Sequence, residues 1–97
     1  MTMHNPPHPG EFIRAVYLEP LGLTGRQLAT KLDVSPSTVA RLLTGKSDVS
    51  PEMALRLAKT LGRSAESWLA MQQHRDLWRA RQTLDLSRVE ALQVDAA

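Results

Sequence analysis

An all-α fold, a compact five-helix bundle, is what the sequence predicts, on three observations. No segment alternates apolar and polar residues long enough to make a strand. Apolar residues instead recur at helical spacing. The helices are also punctuated: a Ser or Thr repeatedly precedes an apolar stripe and a Gly follows it.

Residues 1–9 carry Pro6, Pro7 and Pro9 and read as an extended arm. Helix one is expected from Glu11 to about Glu19, with Phe12, Ala15, Val16 and Glu19 at helical spacing and Pro20 and Gly22 as its stop. Thr24 caps a second helix, and Gln27 completes a capping box. Leu28, Ala29 and Leu32 form its stripe, and Asp33-Val34 breaks it. Ser35 caps the third helix, with Pro36 at the first helical position, where a missing N–H costs nothing. Val39, Leu42 and Leu43 are its buried side and Gly45 its stop. Ser50-Pro51-Glu52 repeats that start for helix four, which carries Met53, Ala54, Leu57, Ala58 and Leu61 and ends at Gly62. Ser64 caps a longer fifth helix reaching about Gln82. The domain therefore spans residues 10–82. Residues 83–97 form a tail or a short extra C-terminal helix, for which Ser87-Arg88-Val89-Glu90 supplies a capping-box pattern.

Composition excludes several function classes. The chain has 97 residues, enough for one domain, and no Cys, so disulfides and thiol chemistry are out. The start, MTMHNPPHPG, has neither a charged n-region nor an apolar h-region, and no apolar run suits a membrane span. A cytoplasmic protein without membrane contact is expected. His4 and His8 are four apart, but Asn5-Pro6-Pro7 forbids the helix that would pair them on a metal, so no metal and no cofactor is expected. No nucleophile is placed beside a base, His74 reads as a solvated helix position, and the five glycines are scattered, so no enzyme is expected. Trp68 and Trp78 read as packing residues, Trp68 in the core and Trp78 nearer an interface.

Charge points elsewhere. Residues 24–63 hold seven basic side chains against three acids, whereas 1–23 and 64–97 each carry a net charge of −1. A basic centre suits an anionic partner. Within it, Thr24 to Gly45 is two short helices joined by a tight break, with small Ala29 where they touch: a helix-turn-helix, whose second helix docks in the DNA major groove. The turn position commonly held by Gly is Asp33, a residue that tolerates positive φ. Pro36, Ser37, Thr38, Ala40, Arg41 and Thr44 are left over by the core. Of these, Ser37, Thr38 and Arg41 are the candidate base readers, Arg41 having two donors for guanine. Arg26, Gln27, Ser35 and Lys46 are the candidate phosphate contacts. A homodimer on a palindromic operator is expected, because one recognition helix reads only a few base pairs.

Several stretches together, His8-Pro9-Gly10-Glu11, Leu18-Glu19-Pro20-Leu21-Gly22-Leu23, Val34-Ser35-Pro36-Ser37, Thr44-Gly45-Lys46 and Ser67-Trp68-Leu69, give residues 8–81 a resemblance to the HigA-type antitoxins of the phage-repressor-like (XRE) helix-turn-helix family. The resemblance implies a five-helix DNA-binding domain, a homodimer, a HigB-type mRNA-cleaving ribonuclease toxin as partner, and repression of the protein's own promoter. The arm with helix one and the 83–97 tail are the candidate toxin-binding segments, both expected off the DNA-reading face. The competing readings are a stand-alone repressor and a protein-interaction module that never meets DNA.

Overall fold

The computed structural model describes residues 5–93. His4 and residues 94–97 lie outside them. Five helices, and no strand among the described residues, follow one another. The first, α1, starts as an α-helix at Pro9–Ile13, passes through a π turn at Arg14–Leu18 and closes at Glu19–Leu21. Then come α2 (Gly25–Leu32), α3 (Pro36–Leu43), α4 (Pro51–Leu61) and α5 (Ala65–Thr83). The core is one cluster that includes Ile13, Leu18, Leu28, Leu32, Val39, Leu42, Leu57 and Trp68.

Helix α1 departs most from its expected form. It begins at Pro9, not Glu11: Pro9 is the first helical residue and His8 is the cap, its Nδ1 accepting from the Gly10 N–H at 3.0 Å. Pro9 is therefore part of the helix and not of an extended arm. The stripe is also different. Ala15 and Val16 face solvent, while Ile13 and Leu18 are buried. Two positions five apart differ by roughly 140° around an ordinary α-helix. The π turn, in which the Glu19 N–H reaches back to the Arg14 carbonyl, brings them to one side. Phe12 and Tyr17, also five apart, become neighbours by the same device, 6.2 Å between ring centroids. Pro20 sits in the last turn, and the stop is Gly22 at φ 64°.

Both aromatic rings meet Trp68 of α5, at 5.9 Å from Phe12 and 6.2 Å from Tyr17. Trp68 is fully buried, and its indole N–H donates to the Gly62 carbonyl at 3.0 Å. Trp78 is half-buried, with the Arg75 guanidinium 5.9 Å from its ring centre. Gln72 stands in a polar stretch with Gln73 and His74. It is buried, accepts from the Val49 N–H and donates to Asp48 and Asp76. That side chain satisfies a backbone group in the α3–α4 loop which would otherwise be buried without a partner.

Beyond Gln72 the fifth helix leaves the core, and from Arg79 onward every described residue is exposed. The chain is consequently elongated, 55 × 26 × 24 Å, with a radius of gyration of 17.0 Å against about 12–13 Å for a compact chain of this length. Only the body of the bundle is compact. No extra helix forms over 84–93. There the Asp85 carboxylate accepts from the Ser87 N–H at 2.9 Å, which holds Asp85 below its usual pKa and uses the Ser87 backbone in a turn instead of a cap.

The seat of α1 on α3 leaves no room for a side chain at Gly10. A Cβ at Gly10 would fall 1.9 Å from the Leu42 carbonyl oxygen and 2.9 Å from the Leu43 Cα, both backbone. Gly10→Ala should therefore cost at least about 3 kcal/mol, because backbone and not a side chain must move. Gly22→Ala, whose Cβ would meet nothing, should cost about 1–2 kcal/mol from its left-handed conformation alone. Urea unfolding of both variants checks the ranking, and a Gly10→Ala protein as stable as Gly22→Ala would contradict the seat.

Candidate nucleic-acid interface

Two caps define where α2 and α3 begin. The Thr24 hydroxyl oxygen accepts from the Gln27 N–H at 3.0 Å, and the Gln27 side-chain carbonyl accepts from the Thr24 N–H at 2.8 Å. The break between the helices is Asp33, at φ 58° and ψ 48°, the left-handed conformation that Asp tolerates. Arg56 of α4 donates to the Leu32 and Asp33 carbonyls at 2.7 and 3.1 Å and so satisfies the end of α2. Ser35 then opens α3, its Oγ accepting from the Thr38 N–H at 3.2 Å.

Val39 and Leu42 fix α3 to the core from one side. Ser37, Arg41 and Thr44 follow at i, i+4 and i+7, and all three are exposed. They line one face of a helix that carries no other burden on that side. The Arg41 guanidinium has no hydrogen-bond or ion-pair partner among the described residues, and neither do the side chains of Arg26 and Lys46. These three cations stand in solvent with their donors unused.

The remaining candidates are more committed. Thr38 is half-buried, and its hydroxyl lies 2.8 Å from Ser35 Oγ, so both hydroxyls belong to the cap. Gln27 has turned its carbonyl into the capping box and retains only its amide N–H groups as free donors. Thr44 donates back to the Ala40 carbonyl at 2.8 Å. The base-reading and phosphate residues thus divide into free cations and hydroxyls that already hold the helix start.

Three residues have contacts that the sequence does not mark. His8, which belongs to the HigA-like stretch and whose spacing from His4 suits no metal, is 93% buried as the α1 cap, with Nε2 3.6 Å from Asp48. Arg14 donates to the Leu43 carbonyl at 2.7 Å, closing the end of α3. Arg75 donates to the Pro6 carbonyl at 2.9 Å and to the Asn5 side chain, tying the amino-terminal segment to α5. Through Gly10 and Arg14, α1 packs against the end of α3. No sequence spacing marks these contacts, since the Arg75 pairs join residues 69 and 70 positions apart. No group of three His, Cys, Asp or Glu among the described residues is arranged to hold a metal, and none of the described helices is long and apolar enough to cross a membrane.

Comparison with known proteins fits this geometry. A helix-turn-helix family model matches residues 13–68. The uncharacterised HTH-type transcriptional regulator YddM of Escherichia coli K12 is 40% identical over 92 residues, 95% of this chain and 97% of that protein. Antitoxin HigA-1 of Vibrio cholerae is 38% identical over 80 residues, 82% of this chain and 75% of that protein. Among solved structures, Pseudomonas aeruginosa antitoxin HigA with the higBA promoter has a TM-score of 0.76 at 32% identity, covering 79% of this chain and 84% of that one.

The division between cap and free face has a measurable consequence. Ser35→Ala should lower stability by about 1 kcal/mol, the usual cost of a lost N-cap. Arg41→Ala should change it by less than about 0.5 kcal/mol, because nothing among the described residues leans on that side chain. Thermal melts of the two variants separate these expectations. A large loss for Arg41→Ala would mean the side chain has a structural partner.

Proposed function

From the premise that the chain belongs to the helix-turn-helix family, and within it to the HigA-type antitoxins, we propose that it is a dimeric, autoregulating antitoxin of the cytoplasm. It binds its own promoter by sequence and neutralises a HigB-type ribonuclease toxin. The relatives named above support the class. The observation that carries the DNA reading is Arg41: a guanidinium without a partner among the described residues, on the exposed face of a helix whose other side is pinned by Val39 and Leu42.

Helix α3 enters the major groove. Arg41 presents two donors to guanine O6 and N7, and Ser37 and Thr38 meet adjacent base edges or phosphates. Arg26 and Lys46 contact the backbone as point charges, with the Gln27 amide and Ser35 at the helix starts beside them. Two copies address two half-sites of a palindrome about one DNA turn apart. Most of the affinity comes from phosphate contacts and falls steeply with salt, while Arg41 supplies discrimination.

The direct test is a fluorescence-anisotropy titration against DNA from upstream of the protein's own gene, with a scrambled duplex alongside, at low and physiological salt. Binding that survives physiological salt only for the native sequence is the expected result. Arg41→Ala should then lose roughly 1–3 kcal/mol and relax specificity at one position. Lys46→Ala should weaken all sequences alike and flatten the salt dependence by about 0.9 in slope. Wild-type affinity in Arg41→Ala would refute the reading face, and an operator-selective loss in Lys46→Ala would refute its phosphate role.

A further inference from the structure

The reading face of α3 does not stop at the end of the helix. Thr44, in line with Ser37 and Arg41, also lies on the rim of a cleft of about 610 Å³ between α1, the end of α3 and α5. Three arginines line it, Arg14, Arg75 and Arg79, against one acid, Glu11. Arg14 donates to the Leu43 carbonyl and so offsets part of the negative potential at the end of α3. At its inner wall, His8 is buried with Nε2 facing the Asp48 carboxylate at 3.6 Å, and the Arg75 Nε is buried without a hydrogen-bond partner among the described residues. Arg79 is exposed, and its guanidinium has no partner among the described residues. The cleft is thus a net cationic hollow, with unused donors, that opens where the reading face ends.

We propose that this arginine cleft clamps the phosphodiester backbone of DNA flanking the base pairs that α3 reads. The inference rests on the DNA-binding reading above and extends it to residues outside the helix-turn-helix. The dimensions agree: an α-helix with its side chains is about 10–12 Å across and fills a major groove about 12 Å wide, so a phosphodiester backbone flanks α3 on either side. A partner protein with acidic side chains would fit the charge as well. The phosphodiester is favoured because the cleft is continuous with the face that carries Arg41 and because guanidinium forks suit phosphate oxygens. Arg75 and Arg79 stand on α5, well outside the segment in which sequence charge pointed to an anionic partner.

The test uses the full chain and two operator duplexes, one trimmed to the recognised base pairs and one with several flanking base pairs restored. Wild type should bind the flanked duplex more tightly. Arg79→Gln should lose that gain, weakening the flanked complex roughly three- to tenfold and lowering its salt slope by about 0.9, with the trimmed duplex bound as before. Arg75→Gln with Arg79→Gln should lower the slope further, and a melting curve confirms that each variant folds. Arg79→Gln is the decisive variant, since Arg75 also holds Asn5 and Pro6. An undiminished gain in Arg79→Gln would overturn the clamp, and so would an equal loss on both duplexes. A wild-type protein that cannot tell operator from scrambled duplex fails earlier, at the DNA reading itself.

Discussion

The bundle is organised around one close approach: the start of α1 lies directly on the end of α3. Gly10 permits it, because any Cβ there would collide with the Leu42 carbonyl. His8 caps the start of α1 at the same point, and Arg14 reaches across to the Leu43 carbonyl. Helix α3 has only eight residues, too few to be stable by propensity. Its position is therefore set from outside, by Val39 and Leu42 in the core and by α1 on its last turn. A helix held at both its side and its end can present Arg41 at a fixed place, and fixed placement is what discrimination between base edges requires.

Net charge alone overstates what the middle of the chain can offer an anion. Seven basic residues lie between 24 and 63, but they are not equivalent. Arg56 is occupied with the Leu32 and Asp33 carbonyls, and Arg63 stands 5.1 Å above the Phe12 ring. In the opposite sense, Arg14, Arg75 and Arg79 lie in segments whose net charge is negative, yet they gather in one cleft. Charge density along the sequence and charge density on the surface are different quantities. Folding redistributes the first into the second, and only the second acts on a ligand.

What could be read from the sequence was what local chemistry decides. Thr24, Ser35, Ser50 and Ser64 all cap the helices they were expected to cap, because the cap bond spans only three residues. Asp33 takes the left-handed conformation expected of the break for the same reason. The stripes of α2 and α4, and the burial of Trp68, follow from ordinary helical periodicity. Sequence and structure differ where periodicity changes or partners are distant. A π turn leaves no mark in composition, so the stripe of α1 was placed on Ala15 and Val16 and not on Ile13 and Leu18. Gln72 lies in a polar stretch of sequence, and its burial follows from the Val49 N–H, 23 residues away, which it satisfies. The candidate interface divides in the same manner: Arg41 and Lys46 were legible as leftovers of the core, whereas the cleft arginines were not.

The two halves of α5 then have different physical roles. Up to Gln72 the helix is anchored by Trp68, the aromatic pair of α1 and the polar links to the α3–α4 loop. Past that point it is held mainly by continuity with the anchored turns, since a free segment of its length would be marginal in water. Leu77, Leu84 and Leu86 remain exposed there, at 45%, 61% and 58%. Arg75 and Arg79 belong to this outer half, so their aim depends on how firmly the inner half is anchored. The Arg75 bonds to Asn5 and Pro6 supply a second tie, joining the amino-terminal segment to the same stretch of helix. Residues 5 and 6 therefore help to fix the Arg75 side of the cleft, while Gly10 and Arg14 hold its other side against the end of α3.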